Sequence, residues 1–118
     1  MSERRVVVTG MGLVSPLGTG VEAVWKRLLA GQSGLVRLPE DVVSDLPGKV
    51  GGVVPLLADD AEAGFDPDMA AEPKEQKKMD RFIMYALVAA KEAVAQAGWA
   101  ADTPDAQERK IGRASCRE

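Results

Sequence analysis

Apolar and polar positions divide the chain into two patterned ends around an irregular middle. Near the start, Val6-Val7-Val8 is an unbroken β-branched run between Arg4-Arg5 and Thr9-Gly10. Such a run predicts a short strand buried on both faces, the kind that sits in parallel or mixed sheets covered by helices. Gly10 and Gly12 then allow positive φ or close backbone approach, and Pro16 and Gly18 stop the chain from re-forming a strand. Residues 19–31 read as a helix. Thr19 and Glu22 have capping-box spacing, Gly31 is placed as a C′ residue, and Val21, Val24, Trp25, Leu28 and Leu29 share one apolar face. On that pattern Trp25 is core packing, and Lys26 and Arg27 lie away from the core.

Residues 32–73 carry no helical or alternating period, apart from a short strand expected over 50–54 and interrupted by Gly51 and Gly52. Between Glu40 and Glu72 the acidic residues face a single base, Lys49, so this reads as a solvated surface loop. Residues 74–99 read as the longest helix. Pro73 suits its start and Gly98 its end. Met79, Phe82, Ile83, Ala86, Leu87, Ala90, Ala93, Val94 and Ala97 form its apolar stripe. Alanines at 86, 89, 90, 93 and 97 would bring its axis close to whatever it covers.

One feature of that helix departs from the pattern. Lys74, Lys77, Lys78 and Arg81 fall at i, i+3, i+4 and i+7, which puts four cations on one face of the first two turns. Exposed cations at a helix start oppose the macrodipole at about 0.3–1 kcal/mol each, only partly offset by Glu75 and Asp80. The pattern fits either a solvated, partly paired face or a docking patch for an anionic partner.

Composition narrows the chemistry. A chain of 118 residues with 46% apolar content is one modest domain, and a net charge of −3 gives no global pull toward nucleic acid or an anionic membrane. No apolar run approaches a membrane span or a signal-peptide core, so a cytoplasmic setting is expected. The lone Cys116 excludes a disulfide framework, and the lack of histidine removes Ser-His and Cys-His nucleophilic pairs. A strand followed by Gly10-x-Gly12 starts a dinucleotide fingerprint, but Ser15 stands where the third glycine belongs. Asp59, Asp60, Glu62, Asp66 and Asp68 lack the glycine and closing glutamate of a calcium loop, and Pro67 interrupts them. No metal and no cofactor are expected.

Longer stretches carry a resemblance. Arg4-Arg5-Val6-Val7-Val8-Thr9-Gly10-Met11-Gly12-Leu13-Val14-Ser15-Pro16-Leu17-Gly18 is similar to the opening of the β-ketoacyl-[acyl-carrier-protein] synthase II family, condensing enzymes of the thiolase superfamily. Trp25-Lys26-Arg27-Leu28-Leu29-Ala30-Gly31-Gln32-Ser33-Gly34, Lys49-Val50-Gly51-Gly52 and Lys74-Glu75-Gln76-Lys77-Lys78-Met79-Asp80-Arg81-Phe82 continue it in register. The resemblance implies an α/β chain forming the N-terminal part of the first half of a thiolase-like layered fold. It implies decarboxylative condensation of malonyl carrier protein with an acyl thioester in fatty-acid elongation, by a homodimer when full length. The family's nucleophilic cysteine and two histidines lie downstream of the matched region, and Cys116 does not match that nucleophile. The family receives its acidic acyl carrier protein on the face that Lys74, Lys77 and Lys78 match, and Arg81 extends that face.

The resemblance covers residues 1–110 as a truncated synthase domain. Residues 111–118 resemble instead the translation of a sequencing-library adapter, ATC GGA AGA GCG TCG TGT AGG GAA, and are expected to be a non-native tail. The chain alone is expected to fold weakly and to lack condensing activity. Two other readings are a non-catalytic homologue of the chain-length-factor type and a small nucleotide-binding α/β protein.

Overall fold

A computed structural model describes residues 3–100 and 102–108. In chain order the elements are β1 (Val14–Ser15), β2 (Gly18–Thr19), α1 (Val21–Leu29), β3 (Leu35–Arg37), α2 (Glu40–Val43) and β4 (Val50–Gly52). A 3-10 turn (Pro67–Met69), α3 (Pro73–Gln76), α4 (Arg81–Ala97) and α5 (Pro104–Glu108) complete the chain. Residues 109–118, with Cys116, lie outside the described residues. The result is a small mixed helix and strand assembly, partial for an α/β fold.

The valine run is not a buried strand. Val6, Val7 and Val8 are 94%, 73% and 79% exposed, and no described residue pairs with them. A strand of this composition is stable only between two sheet neighbours, and the two sheets present are short antiparallel ribbons elsewhere, β1–β2 and β3–β4. Pro16 and Gly18 likewise do not stop strand formation. They shape a hairpin in which Val14 faces Thr19 and Ser15 faces Gly18. The isolated Leu56–Phe65 bridge is the one parallel pairing among the described residues.

Beyond the valines the glycines do what close approach requires. A methyl group at Gly10 or Gly12 would overlap the backbone of Ala93 or Ala89 on α4, so the extended segment lies directly on the alanine face of that helix. Two α4 side chains then replace the missing ladder: Gln96 Oε1 accepts the Met11 amide at 2.6 Å and Glu92 Oε1 accepts the Leu13 amide at 3.0 Å.

Helix α1 ends as read: Gly31 takes φ 74°, the Gln32 amide reaches the Arg27 carbonyl and the Gly31 amide the Leu28 carbonyl. Its start differs. Gly20, at φ 100°, is the N-cap, no capping box forms, and the Thr19 hydroxyl is buried without a partner among the described residues. Nor is its apolar face a core face. Val24 is buried, but Trp25 is 58% exposed and Leu28 53%, because no layer covers that side of the helix among the described residues.

The core lies instead between α4 and the acidic middle. Phe65, Ala70 and Val88 are buried, packed by Val14, Val54, Met84, Tyr85 and Leu87. Phe65 meets Tyr85 edge to face at 4.8 Å. The acidic segment is therefore more than a solvated loop, because it delivers the most deeply buried aromatic ring to the core. Residues 50–52 form a strand, as expected, and pair with Leu35–Arg37, which carried no legible signal.

The long helix expected over 74–99 is two helices. Asp80 is extended (φ −74°, ψ 158°) and acts as the N-cap of α4, so residues 77–80 form a turn. The buried face of α4 is consequently Met84, Tyr85, Leu87 and Val88, while Phe82 and Val94 of the expected stripe are 68% and 47% exposed.

Candidate functional site

The four cations do not share one helix face. Lys74 lies in the single turn of α3, Lys77 and Lys78 in the connecting turn, and Arg81 at the first position of α4. The break removes most of the macrodipole penalty, since only Arg81 begins a helix of useful length. All four side chains are exposed. Lys78 pairs with Glu75 at 3.2 Å, whereas Lys74, Lys77 and Arg81 make no ion pair among the described residues. The backbone beneath them is held in place. Gln76 Nε2 donates to Asp68 Oδ1 at 2.8 Å and to the Ala71 carbonyl at 2.7 Å, tying α3 to the 3-10 turn. Lys91 Nζ donates to the carbonyls of Met69 and Ala70 at 3.2 and 2.6 Å, tying the same turn to α4.

Two further polar clusters organise the region around Gly10–Gly18, and neither has a local sequence signal. In the first, Arg27 grips Asp60 through two bonds, Nη1–Oδ2 at 2.5 Å and Nη2–Oδ1 at 3.0 Å. Arg27 Nη1 also donates to the Leu17 carbonyl at 2.8 Å, and Asp60 Oδ1 accepts the amides of Glu62 and Ala63 at 3.2 Å each. The guanidinium hydrogen bond is the main reason the Asp60 carboxyl is lowered to about 2, against a smaller opposing effect of burial. The pair fastens α1, the β1–β2 turn and the acidic segment to one another. Arg27, read from periodicity as a solvent-side residue, is a central tie. The acidic residues near it do not converge: among the described residues no three His, Cys, Asp or Glu side chains gather where a metal could sit.

In the second cluster Glu92 also accepts the Val21 amide at 3.2 Å with each oxygen, so α4 caps α1. This bears on the nucleotide reading. The first amide of α1 is already neutralised by a carboxylate, and Gly10 and Gly12 are filled from behind by α4. A pyrophosphate finds neither a free helix start nor a glycine cradle. Beside this junction an apolar groove of about 460 Å³ runs between Met11, Leu13, Val24, Trp25 and Leu28.

The chain belongs to the β-ketoacyl synthase family: the family described as "Beta-ketoacyl synthase, N-terminal domain" matches residues 3–115. It is 46% identical over 104 residues to the 3-oxoacyl-[acyl-carrier-protein] synthase 2 of Rhizobium meliloti, covering 88% of this chain and 24% of that protein. The protein of the same name from Vibrio cholerae is 42% identical over 98 residues, 83% of this chain and 22% of its own length. The mitochondrial 3-oxoacyl-[acyl-carrier-protein] synthase of Arabidopsis thaliana is 36% identical over 122 residues, 92% of this chain and 25% of its own. The chain thus spans about a quarter of the length of these relatives. No helix among the described residues is long and apolar enough to cross a membrane.

Proposed function

We propose that this chain forms the opening part of a 3-oxoacyl-[acyl-carrier-protein] synthase that condenses malonyl carrier protein with an acyl thioester, releasing carbon dioxide, in fatty-acid elongation. The observation that carries this reading is the 46% identity, over 88% of the chain, to a protein of that name. In this account residues 1–110 contribute framework and carrier recognition rather than bond-making groups. The chain has no histidine and its one cysteine, Cys116, does not match the family's nucleophile, so the 118-residue chain alone is inactive in condensation. The reacting cysteine and the two assisting histidines are supplied by sequence beyond the matched region.

Lys74, Lys77, Lys78 and Arg81 receive the acyl carrier protein. Three of them are exposed and make no ion pair among the described residues, which supports the role: unpaired surface cations steer an acidic protein toward its site. The complete protein is a cytoplasmic homodimer of thiolase-like layers, in which Val6–Val8 gains the sheet neighbours it lacks in this structure. Residues 111–118 remain assigned to adapter read-through, although the family match reaches into them. Resequencing the locus tests this, and a native frame ending after Glu118 would refute it.

A non-catalytic relative of the chain-length-factor type would share every feature above and lack the downstream cysteine. Assay of the full-length protein with malonyl and acyl carrier proteins separates the two. Release of carbon dioxide together with a 3-oxoacyl carrier product supports the synthase. Absence of the condensed product assigns the non-catalytic relative.

A further inference from the structure

We draw no further inference here: the strongest candidate, the apolar groove that Met11 and Leu13 form with the Val24, Trp25 and Leu28 face of α1, is an uncovered surface in a chain spanning about a quarter of its relatives, and nothing in the structure shows what covers it.

Discussion

Glu92 caps a helix to which it does not belong: its carboxylate sits 3.2 Å from the Val21 amide at the start of α1 while projecting from the middle of α4. The same group holds the Leu13 amide, so one side chain fixes the N-terminal segment, α1 and α4 together. A neutral capping residue on α1 itself could not span all three. Thr19, which has the spacing for that role, has a hydroxyl with no partner among the described residues.

Glu92→Ala should accordingly destabilise the domain by about 1–3 kcal/mol, the cost of leaving two amides without their charged acceptor. Glu92→Gln keeps one acceptor oxygen and loses the charge, so a smaller loss is expected. Urea unfolding of the full-length protein measures both. Equal midpoints for wild type and Glu92→Ala would show that the clasp carries no stability.

The Arg27–Asp60 pair predicts an acid limb of known sign. The Asp60 carboxyl lies at about 2 when folded against an ordinary 3.8, so the unfolded state binds the proton more readily. Its contribution is complete above about pH 4 and is lost as pH falls through 4 toward 2. Asp60→Asn should lower stability at neutral pH and flatten stability against pH across that window. A variant that keeps the wild-type slope there would remove Asp60 from the account.

The chain by itself should behave as a loosely packed state. Its Cα radius of gyration is 17.6 Å, whereas a compact domain of this length has about 13–14 Å. Val6, Val7, Val8, Trp25 and Leu29 all stand largely in water. Broad thermal unfolding and binding of a hydrophobic dye are expected of the isolated chain. A sharp two-state transition with dispersed side-chain NMR signals would contradict this.

Some local signals in the sequence are legible, although the equally local Thr19–Glu22 spacing does not form its cap. Gly31 and Gly98 end α1 and α4 because positive φ is written into those positions, at 74° and 63°. Gly10 and Gly12 announce close approach, although not what approaches. Several of the differences share a cause. Arg27–Asp60 and Glu92–Val21 join residues far apart in the chain, and no period or spacing encodes such a contact. Phe65 is buried amid acidic neighbours that mark their surroundings as solvent. Val6–Val8 reads as buried because its composition suits a sheet of which this chain supplies no neighbouring strand among the described residues. At Asp80 a capping residue was legible inside the stripe, and the uninterrupted apolar period concealed the break there.

The basic face had the opposite history, since its residues were legible and their arrangement was not. Its proposed role is tested most directly by Lys77→Glu with Lys78→Glu in the full-length protein, with KM compared between a carrier-borne acyl thioester and a carrier-free mimic. A rise of about tenfold for the carrier-borne substrate, equivalent to ~1.4 kcal/mol, with the mimic unchanged, is the predicted result. An unchanged KM for the carrier-borne substrate, or equal loss on both, would contradict it.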